Sequence, residues 1–301
     1  MINPLFQRRG LSIDRLLSFL MVADAGGLAA AAPRNNTRQS QLSRQISELE
    51  EFFGKPLVER RGRGIALTPV GAHLAVVLRE LVTGLQDVAS ASESDALLQL
   101  RVSLGAGDSL LHAWVIPRIG TTLGGVSLTL KALSSADVLP RLIDARLDFG
   151  IVRTADIPAS LRSKVLGTVD YALYVPKQLR TKGPIKHMLQ SLPLAMQNGD
   201  PEFNERLTTA FEKAGIKLTP SLVCETFPQA QRAVATGRYA AVLPTFARAE
   251  LPEKSFDEIR DPALGRHASK VSLVWAARLE RQRPRVGALV VRLMKALTIN
   301  P

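Results

Sequence analysis

The amino-acid sequence predicts a small, all-helical N-terminal domain with a two-stranded wing, then a long amphipathic helix, then a larger α/β domain. Three observations predict it. Leu42, Ile46, Leu49 and Phe53 recur at four, three and four and are followed by a glycine-punctuated basic turn. Leu74, Leu78, Leu81, Leu85 and Val88 recur at four, three, four and three. From Leu97 onward, short apolar runs alternate with helical patterns.

The first helix starts at Ser12, whose hydroxyl can cap it, with Asp14 in the first turn and Ile13, Leu16, Leu17 and Leu20 as the apolar stripe. Gly26-Gly27 ends it. A second helix should follow from Leu28, but Pro33 would cost about 3 kcal/mol in a helix interior. The second helix is therefore expected to be short or kinked, with Asn36 or Thr37 capping the third.

The third helix carries its apolar stripe on one face and Gln39, Ser40, Ser43, Arg44 and Ser47 on the other. The acids Glu48, Glu50 and Glu51 are held back to its last turns. Short or forked hydrogen-bonding side chains on one helix face suit a major groove, where Arg reads guanine and Gln reads adenine through paired bonds. Beyond Gly54, Pro-Leu-Val-Glu-Arg, the turn Arg61-Gly62-Arg63-Gly64 and Ile-Ala-Leu read as a hairpin with cations at its tip, a wing for phosphates or the minor groove. Gln39, Ser40, Ser43 and Arg44 are the candidates for base edges, and Arg38, Arg61 and Arg63 for phosphates.

Composition agrees with a folded chain. Its 301 residues leave room for two domains, and 46% hydrophobic with 22% charged residues argues against disorder. The net charge of +12 favours polyanionic partners, and the local pattern is sharper: Arg34 to Gln45 holds three arginines and no acid. No apolar run approaches the roughly 18 residues of a membrane span, and MINPLFQRRG lacks the apolar core of a signal peptide, so a cytoplasmic protein with no membrane partner is expected. Cys224 is the single cysteine, which excludes an internal disulfide and a multi-cysteine metal site. Paired histidines at metal spacing are absent, as are phosphate-loop and dinucleotide fingerprints, so neither metal nor cofactor is expected.

The spacing of Gln39, Ser43-Arg44-Gln45-Ile46, Leu49-Glu50, Gly54, Pro56-Leu57, Glu59-Arg60, Gly62-Arg63-Gly64, Leu67-Thr68 and Gly71 resembles the winged helix-turn-helix of the LysR-type transcriptional regulators. Pro33, Asn35 and Arg38 depart from that pattern: Asn35 stands where the family has a buried aliphatic residue, and Arg38 where it has a capping serine. Later stretches, Val126-Ser-Leu-Thr-Leu, Arg141 to Val152 and Ala233 to Pro244, resemble the effector-binding half of the same family. The resemblance implies homodimers or homotetramers on promoter double-stranded DNA, controlled by a small-molecule effector. It also implies that the α/β half is two lobes around a cleft, similar to periplasmic binding proteins. Residues 1–68 would form the DNA-binding domain, 69–95 the dimerisation helix and hinge, and 96–301 the effector domain. One lobe would take about 96–168 with 270–301, and the other 169–269.

Thr68-Pro69 starts the long helix, and its Leu74, Leu78, Leu81, Leu85 and Val88 are expected to form a dimer seam. In the α/β half, strands are expected near 98–104, 126–132, 148–152, 168–175, 192–197, 218–224, 239–243 and 270–277, in a largely parallel sheet. Helices are expected near 109–123, 135–146, 202–214, 228–236 and 284–298. Ligands in such sheets sit beyond the carboxyl ends of strands. That rule selects Gly107, Ser109, Ser134, Ser135, Arg153, Gln197, Asn198 and Phe227, and free N–H groups at helix starts favour an anionic effector.

Gly107-Asp108-Ser109-Leu110 also spells the nucleophile motif of the GDSL hydrolases. A serine nucleophile needs a base oriented by a third group. His267 has Leu264 three residues before it instead of the aspartate of that family, and no histidine completes a triad by spacing. No catalytic residue is assigned, and a serine hydrolase at Ser109 or a ligand-binding module without specific DNA binding stand as the alternatives.

Overall fold

The computed structural model describes residues 10–61, 64–92, 100–181, 183–198, 201–213, 215–251, 255–261, 264, 268–283 and 285–299. The chain divides near residue 98 into two compact units.

In the first unit, α1 (Ile13–Ala25) starts at Ser12, whose Oγ accepts the Arg15 N–H at 3.3 Å, and ends on Gly26 at φ 76°. The α2 helix (Leu28–Ala31) is a single turn, because Pro33 has no N–H to continue it, and Arg34 turns the chain at φ 59°. The cap of α3 (Asn36–Phe53) is Asn35, one residue ahead of the Asn36 or Thr37 expected, and its Oδ1 accepts the Arg38 N–H at 2.9 Å. An asparagine in the place of a buried aliphatic residue thus trades packing for a donor satisfied at the helix start.

Leu42, Ile46 and Leu49 are buried with Phe19, Val22 and Leu57, and Phe52 is the buried end of the stripe while Phe53 packs beside it. The wing is β1 (Val58–Arg61) paired antiparallel with β2 (Gly64–Leu67), with Arg61 opposite Gly64. Glu50 belongs to the fold: its Oε1 accepts the N–H groups of Leu57 at 2.8 Å and Val58 at 3.1 Å, fixing the wing to α3. The start of α4 (Pro69–Ser92) is held the same way. Thr68 Oγ1 accepts the Gly71 N–H at 3.0 Å and donates to Pro56 O at 2.7 Å. A Cβ at Gly71 would lie 1.9 Å from Leu57 O, so only glycine fits that crossing.

The expected dimer seam on α4 divides. Leu78 is buried and Leu74 half-buried against the core of their own domain, a correction to their place in the seam, while Leu81 and Leu85 are exposed beside Val77. Spacing alone cannot tell an intramolecular face from an intermolecular one. The side chain of Val88 lies outside the described residues.

The second unit holds two five-stranded sheets. The first runs β4-β3-β5-β12-β6 and contains β3 (Leu100–Ala106), β4 (Val126–Ala132), β5 (Phe149–Arg153), β6 (Leu161–Val169) and β12 (Ser269–Ala276). The second runs β11-β7-β10-β8-β9 and contains β7 (Tyr171–Pro176), β8 (Leu194–Gln197), β9 (Pro220–Cys224), β10 (Ala240–Pro244) and β11 (Phe256–Ile259). The sheets are mixed, not largely parallel: β4, β3 and β5 are parallel, but β12 enters antiparallel between β5 and β6. In the second sheet β8 is parallel to β9 and β10, while β7 is antiparallel to β10 and β11.

The helices are α5, in which Asp108–Leu110, a π turn Leu111–Val115 and Ile116–Ile119 run on, then α6 (Ser135–Ile143), α7 (Ile185–Ser191) and α8 (Pro201–Lys213). After them come α9 (Phe227–Ala235), α10 (Ala277–Gln282) and α11 (Arg285–Leu297). The first lobe buries Trp114, Phe149 and Trp275 under α11, and the second buries Tyr174 and Phe227 on one face and Phe211 on the other. The chain crosses between lobes where β6 passes into β7 and again before β12.

Candidate DNA-reading helix and effector cleft

Burying Leu42, Ile46 and Leu49 turns the polar side of α3 outward. Ser40, Ser43 and Arg44 are exposed there, and Arg38 is half-buried with its N–H on the cap. Arg44 Nε rests 3.2 Å from Glu48 Oε1, an exposed i,i+4 pair of the kind that contributes little and yields to a stronger partner. Gln39 is partly committed: its Nε2 donates to Ala32 O at 2.8 Å, bracing the turn between α2 and α3. Arg61 is exposed at the end of β1, and Arg63 lies outside the described residues.

The parallel strands β4, β3 and β5 end side by side, and that register assembles the cleft. Gly107, Ser109, Ser134, Ser135 and Arg153 line one cavity of about 480 Å³ together with Asp108, Asp137, Tyr171, Glu225 and Thr226. Ser135 opens α6, and Ser134 Oγ donates to Asp137 Oδ2 at 2.7 Å and accepts the Asp137 N–H at 3.2 Å. Arg153 Nε lies 2.9 Å from Asp156 Oδ2, so it enters the cavity already neutralised by a neighbour.

Three expected cleft residues are placed elsewhere. Gln197 lines a separate recess at the end of β8 with Asn204 and Leu207 of α8. Asn198 is used locally: its N–H donates to Cys224 O at 2.6 Å. The side chain of Phe227 is fully buried, and its backbone N–H donates across the lobes to Asp108 Oδ2 at 2.8 Å. Tyr171, Glu225 and Thr226 were missed, while Asp108 falls within the Gly107 to Ser109 run that follows β3. Glu225 and Thr226 directly follow β9, within reach of the strand-end rule, whereas Tyr171 sits at a strand's amino end.

Cys224 is buried, and burial pushes its thiol up, the opposite of an activated cysteine. Near Ser109 the His112 ring packs on Phe227 with centroids 5.9 Å apart, and His267 lies outside the described residues. Among the described residues there is no group of three or more metal-ligating side chains, and no helix is long and apolar enough to cross a membrane.

A winged helix-turn-helix joined to a two-lobed α/β domain with a cleft at its strand ends defines a DNA-binding transcription regulator with an effector-binding domain. Comparison with known proteins gives the family. Residues 13–72 match the bacterial regulatory helix-turn-helix protein, lysR family, and residues 95–297 match the LysR substrate binding domain. The chain belongs to the LysR family of transcriptional regulators.

The regulator DgdR of Burkholderia cepacia is 44% identical over 68 residues, a match covering 23% of each chain. The regulator TfdS of Cupriavidus pinatubonensis is 26% identical over 254 residues, covering 78% of this chain and 82% of that protein. Among solved structures, ArgP from Mycobacterium tuberculosis superposes with a TM-score of 0.68 at 16% identity, covering 96% of this chain and 98% of that one, a likeness of fold. DgdR and TfdS are HTH-type transcriptional regulators.

Proposed function

We propose that this chain is a sequence-specific regulator of transcription. It binds promoter double-stranded DNA as a homodimer or homotetramer in the cytoplasm, with residues 1–68 on DNA, 69–95 pairing protomers and 96–301 holding a small anionic effector between two lobes. Gln39, Ser40, Ser43 and Arg44 would read bases, while Arg38, Arg61 and Arg63 would position the duplex on its phosphates. On α4 the exposed Leu81 and Leu85 are available to a second protomer.

The observation that carries the effector assignment is the convergence of Ser109, Ser135 and Arg153 on one cavity beyond three parallel strands. An effector carboxylate there accepts from the serine hydroxyls and competes with Asp156 for the Arg153 guanidinium. Binding that favours one degree of lobe closure shifts the population of dimer arrangements, and hence the spacing of the DNA-reading helices.

Fluorescence anisotropy with the duplex upstream of the protein's own gene, against a scrambled duplex at two salt concentrations, tests the DNA half. Preference for the native duplex that survives at physiological salt supports it; equal, salt-sensitive binding to both counts against that operator. Calorimetry with a panel of small carboxylates tests the other half. Affinity unchanged by Arg153→Ala and by Ser109→Ala would remove these residues from the site.

A further inference from the structure

The Gly107-Asp108-Ser109 stretch contains one side chain that the reading above leaves without a role. Asp108 opens α5 in the first lobe, between two residues that line the cavity. Its Oδ2 accepts the Phe227 N–H at 2.8 Å, and Phe227 is the first residue of the nine-residue α9 in the second lobe. The donors just ahead are satisfied within that lobe: Gln229 Oε1 accepts the N–H groups of Glu225 at 2.9 Å and Thr226 at 3.3 Å, closing a capping box with Thr226. The start of α9 therefore meets the first lobe through the Phe227 N–H, next to the cavity-lining Glu225 and Thr226, where a helix dipole favours negative charge. A carboxylate from the opposite lobe already holds that position.

We propose that Asp108 is a specificity-determining residue that fills the anion position of the second lobe. The cleft then takes effectors with one acidic group, held by the first lobe at Ser109, Ser135 and Arg153, and rejects those with a second acidic group at the far end. This rests on the reading of the cleft as the site of an anionic effector. A second carboxylate would find its donor occupied and would face Asp108 and Glu225, which line the cavity from its two lobes, leaving a charge unpaired and repelled. The cleft thus carries its own substitute for half of a dicarboxylate.

The test is calorimetry of the full-length chain with acids matched in length, from butyrate and succinate to hexanoate and adipate. The monocarboxylate of a pair should bind about tenfold tighter or more, the scale of one charge-assisted hydrogen bond lost. Asp108→Ala, which vacates the Phe227 N–H, should raise dicarboxylate affinity by about tenfold while moving the monocarboxylate by less than about threefold. Asp108→Asn keeps an acceptor and the side-chain volume, and should raise it less. Equal gains in the two variants would overturn occupancy of the donor as the cause. Equal affinity for both members of every pair in the unaltered protein, with binding still lost in Arg153→Ala, overturns the proposal and leaves the cleft assignment intact. Failure of every acid to bind any form of the protein overturns both.

Discussion

Arg283 Nη1 lies 3.2 Å from Asp148 Oδ1 with its guanidinium buried, and its Nη2 donates to Arg101 O at 2.6 Å. Asp148 Oδ2 also accepts the N–H and Oγ of Ser103, at 2.7 and 2.9 Å, so one carboxylate joins β3, the turn before β5 and the segment before α11. Removing one partner strands the other charge out of water. Arg283→Ala should destabilise the α/β domain by about 3 kcal/mol or more, read as a lower urea midpoint. Asp148→Asn, which keeps the volume and an acceptor, should lose less.

Asn35 supplies the side-chain cap of α3 and packs into no core. Asn35→Ala should lower the stability of the N-terminal domain by about 1 kcal/mol. Asn35→Asp keeps the acceptor and adds charge at the positive end of the helix, so its thermal midpoint should equal or exceed that of the unaltered protein.

The two arginines on the DNA side should separate by what they read. Arg44→Ala should relax preference between duplexes differing at one base pair, at a loss of about 1–3 kcal/mol on the best site. Arg61→Ala should weaken binding to every duplex alike and reduce the slope of log affinity against log salt by about one. Anisotropy titrations over a salt series distinguish the two.

Tyr174 is fully buried, with its hydroxyl 2.9 Å from Thr245 O, and burial followed by the nearby Glu258 holds its phenol protonated well above the usual tyrosine range. A pKa raised on folding gives stability that is intact below the unfolded value near pH 10 and is lost as pH rises through the folded one. Urea melts should show a decline above about pH 10 that is shallower in Tyr174→Phe, although that variant starts about 1 kcal/mol lower at neutral pH.

Local chemistry was legible where local chemistry decides. Gly26, Pro33 and Gly54 bound the first three helices because no neighbour can supply a missing N–H or a left-handed turn. The cleft was legible in its first lobe because parallel strands end in register, which places Gly107, Ser109, Ser134, Ser135 and Arg153 together whatever the side chains are. The mixed sheets were not legible. The pairing of Leu273 with Ile151 joins residues far apart in the chain, and β6, with Arg162 and Lys164, looks polar because it is an edge strand. A single strand was expected near 168–175 where the chain in fact leaves one sheet at Val169 and enters the next at Tyr171. Phe227 was misread for a related reason: strand-end position says where a backbone goes, while burial of the ring is decided by α9 and the sheet beneath it.

The crossing of Gly71 over Leu57 leaves no space for even a methyl group, and Thr68 and Glu50 lock the same corner to the wing. A joint this tight has no slack, so twist applied to α4 is delivered undamped to the hairpin. The wing is then the far end of a lever whose handle is α4, so a bend forced on that helix carries Arg60 and Arg61 with it.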